Sequence, residues 1–426
     1  MSSNYETDRI DIVYCFVITL LTKEVIMKNS LLITCKGLIN GKDEEILKDA
    51  YMLVENGIIT EIASQKNMPH YDFKTDNLEL LDYRHGYITP GMIDTHIHMT
   101  FSSEGDTMGA LSSKSNATLA IEGTNNLKAT LKGGITYVRD LGAPDYIDVD
   151  LRNAQLKGDI IGPKSLVSGK FITMTGGHGW QIGRECDGTQ EVTKGAREQL
   201  KNGADVIKIM ATGGVLTPGV DPNSSQLSEA EIAVAVREAH KVGKKTATHA
   251  QGIKGIKNAL GAGIDSVEHG VYLDDEAADL MVRKGTFLIP TFSAVYNIIK
   301  YGEDYGIPKF AVDKAKAIKE IHFNSFQKAY EIGVPIAMGT DAGTPFNQHG
   351  DNLFELKLMV DMGMSPHEAI QSATIKAAEL LGVEDSHGSL EIGKRADFLL
   401  VKNNPISDIT HLLDFEEVYQ DGNKVV

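Results

Sequence analysis

The chain has 426 residues, too many for one small domain, and at 42% hydrophobic and 23% charged its composition is that of an ordinary globular protein. Its formal net charge of −16 excludes a basic face for nucleic acid or anionic lipid. Three cysteines without a CxxC exclude a disulfide framework and a zinc ribbon, and fit a reducing cytoplasm.

In chain order, residues 12–21 form an apolar run too short for the ~20 residues that a membrane span needs. Glu6, Asp8 and Asp11 spoil the basic start of a signal peptide. Residues 1–26 are therefore read as an upstream extension, with Met27 as the start of the folding chain. From Leu31 the pattern is β-rich, and Asn56-Gly57 between two apolar runs predicts a hairpin. The character changes at YITPGMIDTHIH. From there to about Gly382, short apolar strands (ITYVRDLG, DVIKIMATGG, KTATHAQG, DSVEHGVY, TFLIPTF, VPIAMGTDAG) alternate with helical segments. In SEAEIAVAVREAHKVG, Ser228 and Glu231 form a capping box, and Ile232, Val236 and Ala239 share one face.

Such alternation implies a parallel sheet with both faces buried, closed into a (β/α)₈ TIM barrel. The tail segments KRADFLLVKN and EEVYQDGNKVV read as strands with an Asp421-Gly422 turn, returning to pair with the first strands. The expected organisation is a β-sandwich domain from residues 27–87 and 388–426 around a barrel at 88–387.

His96 and His98 stand two apart on a predicted strand, so both imidazoles point the same way. Alone, an HxH pair is a weak signal and is more often packing. Here it is joined by His249 in ATHAQG, His269 in VEHGV, Asp341 in GTDAG and Lys208 in DVIKIMATGG. All lie at or near the carboxyl ends of predicted strands, the rim where barrel active sites are built. His70, His240, His367 and His411 read as solvated.

This set of six resembles the metal ligands of the amidohydrolase superfamily. GMIDTHIH, IKIMATGG, THAQG, EHGVYLDDE and GTDAGTP are similar to the binuclear branch of Xaa-Pro dipeptidases (prolidases) and zinc-dependent arginine/lysine carboxypeptidases. The resemblance implies two divalent metal ions, expected to be zinc. His96, His98 and Asp341 would hold one ion, His249 and His269 the other, and Lys208, carrying a carbamate from CO₂, would bridge them. A cation pair ~3.5–4 Å apart generates hydroxide near neutral pH and clamps a tetrahedral intermediate. Asp341 would be the catalytic proton carrier, its alternative reading being a helix N-cap. The implied substrate is a dipeptide or N-acyl amino acid of Xaa-Pro or Xaa-Arg/Lys type, and the implied protein a cytoplasmic homo-oligomer.

His178 in TGGHG is either a substrate-binding residue or the incidental histidine of a glycine turn. GGVLTPGVDPNSSQ is a candidate lid, and Arg139-Asp140 a structural ion pair or a substrate contact. Leu227 departs from the branch, which often places a tyrosine there. Two rival readings remain: an imidazolonepropionase-like cyclic amidohydrolase with one metal, which would not need Lys208, and a non-catalytic scaffold, which would not need all six ligands. Elemental analysis separates the three readings at about two, one or no metals per chain.

Overall fold

The computed structural model describes residues 30–71, 73 and 78–425, so the expected extension at residues 1–26 lies outside the described residues. The chain opens with strands β1 (Ser30–Leu38), β2 (Leu47–Glu55), β3 (Ile58–Ser64) and β4 (Leu78–Pro90). β2 and β3 form the expected hairpin. Asn56 and Gly57 both take positive φ, 55° and 77°, as a two-residue turn between right-twisted strands requires. β1 pairs antiparallel with β2 and parallel with β4.

The chain then becomes α/β. β5 (Met92–Ile97), β6 (Ile135–Asp140) and β7 (Lys164–Val167) form a parallel sheet. A second parallel sheet comprises β8 (Ile172–Thr173), β9 (Arg184–Glu185), β10 (Val206–Met210), β11 (Lys245–Ala250), β12 (Ser266–His269) and β13 (Phe287–Ile289), in the order β13-β12-β11-β10-β8-β9. Every residue of β5, β6 and β10 is buried, as strands covered by helices must be. The helix Glu229–His240 carries the full capping box and buries Ile232, Val236 and Ala239, the face expected from the sequence.

Hydrogen bonds join the two sheets. Asp205 N donates to Val167 O at 2.7 Å, linking the start of β10 to the end of β7. Residues 335–342 run between β13 and β5: Leu288 N donates to Pro335 O, Thr95 N to Met338 O and His98 N to Ala342 O. This is the segment VPIAMGTDAG, expected as a regular strand, and it holds only isolated bridges. The reason is local. Asp341 adopts φ 59°, and Asp341 N turns to His96 O at 2.7 Å, which interrupts the ladder.

The chain ends in β14 (Phe398–Val401), β15 (Glu417–Gln420) and β16 (Asn423–Lys424), the last two joined by the expected turn at Asp421 and Gly422, φ 50° and 73°. β14 pairs antiparallel with β4, so the first four and last three described strands build one seven-stranded sheet, β16-β15-β14-β4-β1-β2-β3. Its β3 edge folds back onto residues 393–396: Ile59 N donates to Lys394 O and Ala396 N to Gly57 O, both at 2.9 Å. Ile33, Met52, Ile59, Ile88, Phe398 and Leu400 fill the interior. Each such buried side chain contributes ~1.5–3 kcal/mol.

Two of the histidines read as solvated are not. His367 is buried on the helix Pro366–Ser372, one turn from buried Ile370, and His411 is partly buried with Nδ1 at 2.9 Å from Asn404 O. His70 is exposed, and His240, 43% exposed, pairs with Asp265 at 2.8 Å. Among the described residues, no helix is long and apolar enough to cross a membrane.

Candidate metal centre

The two-residue period of β5 brings His96 and His98 to the same side, where Nε2 of each lies 3.4 Å from Asp341 Oδ1. These three are buried or nearly so, with ligand atoms all within 4.8 Å of one another. His269 ends β12 with its ring centroid 5.4 Å from His96, and His249, near the end of β11, is 4.6 Å from His269. His178 comes next, 4.3 Å from His249. Lys208 on β10 is 1% exposed. All seven of these residues line one cavity.

The four expected histidine ligands are oriented by a shared device. Each engages one ring nitrogen with an oxygen outside the ligand set, and the Nε2 atoms of His96 and His98 face Asp341. Nδ1 of His96 meets Glu268 Oε2 at 2.8 Å, and Nδ1 of His98 meets Gly142 O at 2.9 Å. His269 Nδ1 meets Thr291 Oγ1 at 2.6 Å, and His249 Nε2 meets Gly213 O at 2.9 Å. Metal-binding histidines are held in this way, since the outer partner fixes tautomer and ring direction. The donor set therefore fits divalent metal ions.

Burial favours the neutral form of His96, His249, His269 and His178, the form that metal ligation requires. It drives His96 and His249 far below the ordinary histidine range, and lowers His269 to about 4 and His178 to about 3. Burial also opposes charge on His98, but the hydrogen bond and negative charge of Asp341 outweigh it and hold His98 above its usual value. In return, although burial disfavours its charge, His96 and His98 hold the Asp341 carboxyl well below the usual carboxylate range. Burial lowers Lys208 to about 8, within reach of the neutral amine.

Sequence reasoning missed Glu268. Neighbouring strand residues face opposite ways, so Glu268 beside His269 reads as pointing outward. His269 takes φ 72°, however, which breaks the alternation and turns both side chains toward His96. Arg139 was expected to pair with Asp140 and does not. Its Nη2 donates to Glu268 Oε1 at 3.0 Å, its Nη1 to Ser266 Oγ and its Nε to Thr95 O. Asp140 instead accepts from the backbone N–H groups of Met99 and Gly142. The pairing is set by strand geometry, because alternation sends neighbours 139 and 140 to opposite faces. Arg139→Met leaves Glu268 buried without its counter-charge. It is expected to cost roughly 3–5 kcal/mol, measured by denaturant unfolding of the metal-free protein. A loss under about 1 kcal/mol would show that the pair is dispensable.

The glycine-rich segment after β10 packs on this site. A Cβ at Gly214 would fall 2.5 Å from the His178 ring, so only glycine admits the imidazole there. His178 Nδ1 lies 2.8 Å from Thr217 Oγ1. The candidate lid is tied down: Lys314 Nζ donates to the carbonyls of Gly214, Thr217 and Val220 at 3.0, 2.7 and 2.6 Å. Leu227 is buried in the hydrophobic core and does not line the cavity.

A rim of four histidines, a carboxylate and a buried lysine, set on an α/β fold, defines a hydrolase of the metal-dependent kind. The chain belongs to the amidohydrolase family, which matches residues 87–425. It is 30% identical to the ochratoxinase of Aspergillus niger over 403 residues, covering 88% of this chain and 81% of that protein. Among solved structures, a Xaa-Pro dipeptidase with methionine in its active site superposes with a TM-score of 0.86 at 35% identity, covering 93% of this chain and 99% of that one. The A. niger ochratoxinase structure gives 0.81 at 29% identity, covering 93% and 95%. The chain is thus a metal-dependent hydrolase of amide bonds with prolidase-like relatives.

Proposed function

We propose that the protein cleaves the amide bond of a dipeptide or N-acyl amino acid, using two divalent metal ions, zinc in the cell, held on a closed eight-stranded barrel beside a β-sandwich. The observation that carries the reading is the shared orientation of the four histidines, each with one ring nitrogen held by an oxygen outside the ligand set, around Asp341 and Lys208 in one cavity. His96, His98 and Asp341 would hold one ion and His249 and His269 the other, with Lys208 as a carbamate supplying further anionic oxygen to them. When bound, the ions supply ionised water near neutral pH and polarise the amide carbonyl.

The chain's own residues do the rest. Asp341 is anionic and 3.4 Å from both His96 and His98, placed to take the proton of the attacking water and return it to the leaving amine nitrogen. Glu268 keeps the His96 proton on Nδ1, and Thr291 steadies His269. The buried walls exclude bulk water, which strengthens each electrostatic interaction inside. We place the enzyme in the cytoplasm as a homo-oligomer. Cys35 and Cys186, both free and buried, support a reducing compartment.

Measuring bound metal alongside turnover of dipeptides and N-acyl amino acids tests the reading. About two metals per chain with amide cleavage supports it. One metal with turnover of cyclic amides would favour the imidazolonepropionase-like alternative, and no metal a scaffold.

His178 serves substrate binding in this reading. Its imidazole is fixed by Thr217 beside His249, where it can donate to a substrate carboxylate. A charge-assisted hydrogen bond of this kind is worth ~1.5–3 kcal/mol. His178→Ala is therefore expected to raise KM by about 10–100-fold while changing kcat less. Equal turnover of a dipeptide and its C-terminal amide would refute the carboxylate assignment.

A further inference from the structure

We propose that Lys314 fixes residues 213–220 as one wall of the cavity, and that this wall makes the enzyme select a bulky, neutral, apolar side chain beside the scissile amide. The inference rests on the amide-hydrolase reading above and narrows its substrate.

An ammonium has three protons to donate. Lys314, on the helix Lys309–Ile332, gives all three to carbonyls of one loop roughly a hundred residues earlier in the chain. Those carbonyls belong to Gly214, Thr217 and Val220, so the bonds bracket Val215 and Leu216. A fourth tie comes from Thr217, whose Oγ1 accepts from Gly179 N at 3.0 Å. Held this way, Val215 packs into one cluster with Val295 and Ile298, and Leu216 lies against it. Phe171 and Ile182 extend the apolar lining.

The charges in the cavity point the same way. Among the described residues its one lining carboxylate is Asp341, already engaged with His96 and His98. An adjoining depression shares Met108 and Leu216 and contains Asp106, but that carboxylate caps the helix Thr107–Ser113 by accepting from Gly109 N. A guanidinium or ammonium side chain would lose its water here without gaining a counter-charge, whereas thioether, branched aliphatic or aromatic groups find matching surface.

The test uses the zinc-loaded full chain with Gly-Xaa dipeptides and N-acetyl amino acids, Xaa being Met, Leu, Phe, Ala, Arg or Lys. A single methylene in an apolar pocket is worth roughly 10–200-fold in selectivity. Met, Leu or Phe should therefore exceed Ala by at least about tenfold in kcat/KM, and Arg or Lys by at least about a hundredfold. Lys314→Met should reduce the Met-to-Ala ratio about tenfold or more, through KM, with metal content intact. Lys314→Arg, which keeps donors at that place, should recover part of it.

Arg or Lys substrates cleaved as well as Met, or an unchanged ratio in Lys314→Met, would overturn the proposal while leaving the hydrolase reading intact. If Lys314→Met does not fold, Leu216→Ala reads the same ratio from the wall itself. If no amide is cleaved, the hydrolase reading falls, and the wall is then judged by equilibrium binding of L-methionine against L-arginine to the metal-loaded protein. Preference for methionine supports the wall, and equal affinity overturns it.

Discussion

Asp341→Asn is expected to keep the fold and most of the metal while lowering kcat by at least ~10²–10⁴-fold, the usual contribution of a positioned general base. The substitution is well suited to isolating charge. Asp341 sits at φ 59°, a left-handed conformation that asparagine tolerates, and its backbone N–H bond to His96 O does not depend on the side chain. What is lost is the anion 3.4 Å from two imidazoles, and with it the acceptor for a proton from water. The measurement is kcat at saturating metal, with circular dichroism and elemental analysis as controls. Activity within about tenfold of the parent would remove Asp341 from its proposed role.

Lys208→Ala is expected to bind about one metal fewer and to be nearly inactive. Lys208 is 1% exposed on a strand whose other residues, Val206, Ile207, Ile209 and Met210, are apolar and buried. A protonated amine there would repel two divalent ions in a low-dielectric site. The neutral amine can instead add to CO₂, forming an N–C bond and releasing one proton. The product is an anion with two oxygens, which would be able to hold the ions. Charge balance favours that outcome, because four neutral imidazoles and a single Asp341 carboxylate leave two dications short of anionic partners. Reconstituting apoprotein in CO₂-free buffer should give low activity that rises when bicarbonate is added. Two metals and normal turnover in Lys208→Ala would end the bridging role and favour the one-metal alternative.

The candidate site was largely legible because its residues obey local rules. The two-residue spacing of His96 and His98 fixes their common direction, and Lys208, His249 and His269 stand on short segments that form buried strands. Glu268 was hidden by the same rule. Alternation assigns it to the outer face, and only the left-handed turn at His269 reverses that. The partner of Arg139 and the grip of Lys314 on the 213–220 loop depend on contacts across long stretches of chain, which periodicity does not encode. Residues 335–342 read as a strand from their apolar run, and they became an irregular bridge because Asp341 bends out of the ladder toward the cavity. His367 looked solvated because one polar residue in a short helix gives no clue to which face packs inward.

The pairing of β4 with β14, which sets Pro90 opposite Phe398, also bears on how the molecule is made. A ribosome completes β4 long before it reaches β14. At ~5–20 residues per second, the gap is on the order of 15–60 s. Through that interval the nascent chain carries an open β edge beside a half-built apolar interior, the situation in which strands of neighbouring chains add to one another. Strands β14 to β16 therefore close the sheet that β1 to β4 began, and a ribosome that stalls before them leaves a polypeptide with every proposed metal ligand present and an edge still free to aggregate.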